Sequence, residues 1–166
     1  MGSPILKNSP KPVARVQSPD AAWRVMMWFG AFIAMIGLGQ LALYFFPAPG
    51  FGSPEWEYGA SAQMLGALPL PTVGLAILIA SALATASRRA LIGLGIVLVL
   101  MGLAVLAVLT LFWTVAPMAV RTTPAAASGV IKQTIARTTL SGFGFGILYL
   151  WAAYAAFRQA RRLKGV

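Results

Sequence analysis

The chain has 166 residues, of which 59% are hydrophobic and only 10% are charged. Soluble domains carry about 25% charged residues, so this composition excludes an ordinary soluble fold and predicts an integral membrane protein. The sequence contains no cysteine and no histidine. We therefore expect no disulfide, no thiol redox chemistry, no metal site and no bound cofactor.

The formal net charge of +10 raises the question of nucleic-acid binding. The basic residues, however, cluster beside apolar segments, and no basic face or reader motif accompanies them. Membrane topology and anionic lipid headgroups account for this distribution better. We expect membrane lipids as partners and no nucleic acid.

Residues 1–20 contain four prolines, three basic residues and few large apolar side chains. This composition predicts a disordered or extended N-terminal arm, because proline blocks a helix and little is available to bury. The first predicted span follows over residues 22–46. Its apolar stretch is longer than the core of a signal peptide and no cleavage motif follows it, so we expect it to remain uncleaved.

A helix start is indicated at residues 53–55, where serine can cap, proline suits the first position and an acid complements the helix dipole. We predict a short interfacial helix over residues 54–65. The candidate interaction segment at its start consists of Glu55, Trp56, Glu57 and Tyr58. Glu55 and Glu57 do not face each other at this spacing, which argues against a catalytic pair. Three interpretations of these acidic residues are left: a helix cap, a docking epitope and a surface cation site.

Two apolar runs are separated by Ser87, Arg88 and Arg89. Each arginine would cost about 2.5–3.5 kcal/mol at mid-bilayer, so the pair belongs at a membrane surface between two spans. We predict these spans over residues 71–87 and 90–117. Small residues at four-residue spacing on the first of them favour close helix packing. They are Ala76, Ala80 and Ala84.

The last helix is predicted to begin near residue 124, outside the membrane, and to continue into a fourth span over residues 138–157. The alternative is a helix lying flat on the surface, with a break near Gly142. Gly142 and Gly146 have the spacing of close helix crossings and are predicted to pack against another helix. The fold class is therefore an all-α membrane four-helix bundle. It comprises a membrane domain over residues 21–160 and a basic tail over residues 161–166.

Four spans place both termini on one side of the membrane. That side, with the turn between the second and third spans, holds ten basic residues, namely Lys7, Lys11, Arg15, Arg24, Arg88, Arg89, Arg158, Arg161, Arg162 and Lys164. The other side holds Arg121, Lys132 and Arg137. The asymmetry predicts cytoplasmic termini, and the alanine- and glycine-rich composition indicates a bacterial inner membrane. The predicted headgroup contacts are Arg88, Arg89, Arg158, Arg161, Arg162 and Lys164.

The scarcity of charge within the spans favours a non-catalytic subunit, or an assembly or stabilising factor, of a larger membrane complex. It would pack on other membrane subunits, or on itself, through small-residue faces and residues 53–59. One alternative is a small transporter or channel for a neutral or lipophilic solute. A further alternative is an interfacial enzyme that modifies lipid or quinone, with Glu55 and Glu57 as its acids.

Overall fold

The computed structural model describes residues 19–44, 46, 52–122 and 128–163. Helices account for 94% of this part of the chain, and it contains no strand. In chain order the helices are α1 (Pro19–Tyr44), α2 (Pro54–Ala67), α3 (Pro69–Ala84), α4 (Arg88–Thr122) and α5 (Ser128–Arg162). The predicted all-α class is confirmed.

Four helical segments of the described chain are long and apolar enough to cross a membrane. They are Ala21–Tyr44, Glu55–Ala84, Arg88–Arg121 and Ser128–Arg162. The second segment combines α2 and α3, and the other three correspond to α1, α4 and α5. The protein is thus a multi-pass membrane protein with four spans.

The last two helices are the tallest elements of the bundle. α4 and α5 have 35 residues each, whereas α1 has 26. At 1.5 Å per residue, 35 residues extend about 52 Å, well beyond a hydrocarbon core of about 30 Å. The last two spans therefore form a hairpin that is longer than the membrane is thick.

α2 and α3 form a nearly continuous helix that is interrupted at Leu68. The Ser53 hydroxyl caps α2 by accepting a hydrogen bond from the Trp56 N–H at 3.2 Å. At the junction, Pro69 has no N–H to donate, but this loss is tolerated in the first turn of a helix. The second span was predicted to open at residue 71, whereas α3 begins at Pro69 and the apolar segment that contains it begins at Glu55.

One further helix limit differs from the predicted spans, and one alternative is decided. α4 continues past Pro117 to Thr122, although a proline removes one helical hydrogen bond. α5 runs without a break through Gly142, which excludes the alternative of a flat helix broken there. The predicted start near residue 124 lies outside the described residues.

Most of the predicted N-terminal arm also lies outside the described residues. The exceptions are Pro19 and Asp20, which begin α1. Arg161 and Arg162 of the predicted tail belong to α5.

The helices associate mainly as two pairs, α1 with α3 and α4 with α5. α2 packs against α4 and so joins the pairs, while α3 makes a smaller contact with α4. The main core lies between these elements. Its largest fully buried side chains are Leu65, Leu68, Leu98, Val105, Phe112 and Tyr149.

Candidate functional site

The candidate interaction segment at the start of α2 is divided between the surface and the interior. Glu55 is exposed, whereas Trp56 and Glu57 are half-buried. The Tyr58 ring stacks on Phe112 of α4, with 5.3 Å between ring centroids and 25° between ring planes. The segment therefore presents a carboxylate outward and anchors α2 on α4 through its tyrosine.

Hydroxyl side chains in the spans mostly bond to their own helices. Each of five hydroxyls donates to the backbone carbonyl one turn earlier, at distances between 2.6 and 3.0 Å. They belong to Ser61, Ser81, Thr85, Thr110 and Thr134. Such bonds satisfy the donor locally and leave the helix surface apolar in effect.

A different hydrogen bond links the two helix pairs, between α3 and α5. The hydroxyl oxygens of Thr72 on α3 and Tyr149 on α5 are 2.6 Å apart. The Thr72 hydroxyl also lies 2.7 Å from the Leu68 carbonyl, which can only accept. The single Thr72 proton therefore goes to Leu68, and Tyr149 donates to Thr72. This hydrogen bond connects α5 directly to α3.

The α1–α3 crossing brings two backbones into direct contact. A methyl group added at Gly37 of α1 would lie 2.6 Å from the backbone nitrogen of Pro71. A methyl group at Gly74 of α3 would overlap the backbone of Ala34. Only glycine fits at these two positions, because the opposing atoms belong to the main chain. The sequence reasoning did not select these glycines, although small residues recur through the first span.

The α4–α5 crossing contains the predicted packing residues Gly142 and Gly146, both buried. A methyl group at Gly142 would lie 2.9 Å from the end of the Leu109 side chain. The nearest atom to such a group at Gly146 would be at 3.2 Å, in the Leu106 side chain. Each glycine thus makes a hollow on α5 that a leucine from α4 fills.

The predicted alanine stripe on α3 does not face α1. Ala76, Ala80 and Ala84 are exposed, whereas α3 buries the opposite side of the helix, including Gly74. Ala76 and Ala80 line an apolar groove between α3 and α5 of about 620 Å³. We call it the α3–α5 groove, and its remaining lining residues are Ile79, Leu83, Trp151, Ala152, Ala155, Ala156 and Gln159.

The predicted headgroup contacts separate into distinct positions. Arg88, Arg158 and Arg161 line a cavity of about 390 Å³ between the start of α4 and the end of α5. Arg89 is exposed and does not line this cavity, and Arg162 lines a neighbouring hollow. Lys164 lies outside the described residues. The sequence predicted the basic cluster but not this division of its members.

Within the described ranges, no group of three or more histidine, cysteine or acidic side chains is placed to hold a metal ion. No protein-family model, curated protein or solved structure matches the chain. The four apolar spans define its class as a multi-pass, all-α membrane protein. Two of its surfaces are concave, the α3–α5 groove and the arginine-lined cavity.

Proposed function

We propose that this protein is a non-catalytic subunit, or an assembly factor, of a larger complex in a bacterial inner membrane. The observation that carries the proposal is the position of the alanine stripe. Ala76 and Ala80 lie at a lateral groove, on a side of α3 that the α1–α3 crossing does not use. The partner surface is a transmembrane helix of another subunit, which packs into the α3–α5 groove.

Small residues favour such an association because they let helix backbones approach closely. Lipid tails are as apolar as leucine, so burial of apolar surface alone does not drive helices together in a membrane. Helices in a membrane associate mainly through close packing and interhelical hydrogen bonds. The α3–α5 groove provides alanines on both walls, so an incoming backbone can approach α3 and α5 at once. Gln159 at one end supplies a polar side chain that can hydrogen-bond across the interface. The chain's own crossings at Gly37 and Gly74 use the same close approach.

The interior of the bundle supports a structural role over solute transport. Phe112 and Tyr149 fill its centre with 0% and 1% of their surfaces exposed. The Tyr149 hydroxyl is engaged by Thr72, and the hydroxyls of the five residues described above donate to their own helices. Side chains committed to such bonds are poorly suited to replace the hydration shell of a passing solute.

The exposed Glu55 extends the proposed interface beyond the membrane. By the excess of basic residues at the termini, this end of the bundle is external and the termini are cytoplasmic. Trp56 and Glu55 then lie at the external end of α2, where an aromatic ring suits the membrane boundary and a carboxylate suits a basic partner.

The test is quantitative purification of tagged protein from native membranes in mild detergent. Ala80→Leu places a branched side chain in the α3–α5 groove, and we expect at least a tenfold loss of the stoichiometric partner, equivalent to about 1.4 kcal/mol. Ala104→Leu is the matched control, because Ala104 is exposed on α4 and does not line the groove. We expect it to retain the partner within a factor of two.

Both variants must keep the wild-type helical content and thermal unfolding in detergent. Equal partner recovery with Ala80→Leu and Ala104→Leu would contradict docking in the groove. A purified chain that lacks other subunits and moves a solute across liposome membranes would overturn the proposal and favour the transporter alternative.

A further inference from the structure

The cavity between the start of α4 and the end of α5 has a basic part and an apolar part. We call it the basic pocket, and its volume is about 390 Å³, which is within the usual range for ligand sites. Its lining includes the basic residues Arg88, Arg158 and Arg161 and the apolar or aromatic residues Ile92, Tyr154 and Phe157. The pocket shares no lining residue with the α3–α5 groove, so a substitution can change the lining of one without changing that of the other.

Three exposed arginines around one cavity make it attractive to an anion. No acidic side chain lines the pocket among the described residues, so the guanidinium groups repel each other unless an anion binds between them. Arg88 is also the first residue of α4, where the positive end of the helix dipole lies. Guanidinium groups match the geometry of phosphate oxygens and can bind them with two hydrogen bonds each.

The apolar part of the pocket is held in place by close packing. A methyl group at Gly95 would lie 2.8 Å from the Phe157 ring, so the ring rests directly against the α4 backbone. Ile92 lies three residues earlier on the same helix, and the ring of Tyr154 is largely exposed. A ligand that fits all these residues is an anion with a hydrocarbon portion.

We propose that the basic pocket binds one anionic phospholipid. Its phosphate lies between the guanidinium groups of Arg88, Arg158 and Arg161. Its glycerol and first acyl carbons lie against Ile92, Tyr154 and Phe157. An inorganic phosphate ion shares the headgroup chemistry but makes no use of the apolar wall, which is why a lipid is the ligand.

Neighbouring arginines provide unusually close controls for this site. Arg88 and Arg89 carry the same charge in the same turn, yet only Arg88 lines the pocket. Arg161 and Arg162 form a second such pair, because Arg162 lines the adjacent hollow instead. A diffuse attraction between basic residues and an anionic membrane would treat both members of each pair alike.

The experiment titrates the purified full-length protein in neutral detergent with dioleoylphosphatidylglycerol and counts bound lipids by native mass spectrometry. We expect one tightly bound lipid in the wild type. Arg88→Gln and Arg161→Gln should each weaken its binding about fivefold, the effect of about 1 kcal/mol per arginine near a membrane surface. Arg89→Gln and Arg162→Gln should stay within a factor of two of the wild type.

Two further measurements separate a lipid from a free anion. Tyr154→Ser removes part of the apolar wall without changing charge, and it should weaken lipid binding but not the binding of inorganic phosphate. Dioleoylphosphatidylcholine should bind less tightly than the phosphatidylglycerol.

Equal losses in all four arginine variants would overturn the proposal in favour of diffuse charge attraction. Full displacement of the lipid by inorganic phosphate at equal concentration and constant ionic strength would also overturn it, in favour of a free-anion site.

Discussion

The α1–α3 and α4–α5 crossings both depend on glycine, but their glycines face different kinds of atom. At the first crossing, Gly37 and Gly74 oppose the main chain of Pro71 and Ala34. At the second, Gly142 and Gly146 oppose the ends of leucine side chains. The same residue type therefore serves two purposes, a backbone contact in one pair and a hollow for a side chain in the other.

The difference determines how each crossing responds to added volume. A leucine end can change rotamer or shift slightly, whereas a helix backbone can move only if the whole helix moves. We expect the first crossing to be intolerant of substitution and the second to be adaptable.

Gly74→Ala should have the largest effect. The new methyl group overlaps the Ala34 backbone and forces α1 away from α3. We expect a loss of about 3 kcal/mol in the free energy of unfolding, at the upper end of overpacking effects. Unfolding by sodium dodecyl sulfate in mixed micelles, followed by circular dichroism, measures it. Gly66→Ala is the control, since nothing lies within 4 Å of a methyl group there. A smaller loss from Gly74→Ala than from Gly142→Ala would reverse the comparison.

Gly142→Ala should have an intermediate effect, because the nearest atom is the mobile end of Leu109 at 2.9 Å. We expect a loss of about 1 kcal/mol in the same unfolding assay, at the lower end of overpacking effects. Gly144→Ala in the same helix faces open space and should change stability by less than about 0.5 kcal/mol. Identical stabilities for the two variants would show that Gly142 is not in a tight contact.

The hydrogen bond between Thr72 and Tyr149 should have the smallest effect, although it joins the two pairs. A double-mutant cycle with Thr72→Val and Tyr149→Phe isolates its contribution in the unfolding assay. We expect a coupling energy of about 0.6 kcal/mol, the average for hydrogen bonds between membrane helices. A coupling near zero would mean that side-chain packing alone sets the position of α5 against α3.

The sequence predicted features that depend on length, apolarity and helix termini. The four spans follow from apolar runs that exceed the bilayer thickness, and the start of α2 from the cap at Ser53. Both predicted packing glycines of α5 lie at a helix contact because their spacing repeats on one face. The predicted helix ends at Pro117 and at residues 69–71 were less accurate, because proline is tolerated in membrane helices more readily than in soluble ones.

The choice of neighbour for each helix face could not be predicted in the same way. α3 has an alanine stripe and, on another face, Gly74, and α1 packs on the glycine. In lipid an exposed face and a buried face are equally apolar, so hydrophobicity does not distinguish them. The separation of Arg88 from Arg89 likewise depends on the direction in which α4 begins, which adjacent arginines in a sequence do not reveal.

Site-specific photocrosslinking in native membranes tests most directly whether the α3–α5 groove receives a partner helix. A benzophenone amino acid replaces Trp151, a large side chain that already lines the groove, or, as the reference position, Leu100 on the exposed face of α4. We predict a discrete adduct with another membrane protein from position 151 and only lipid adducts from position 100. Lipid adducts alone at both positions, in membranes where the tagged chain is otherwise folded, would contradict the account.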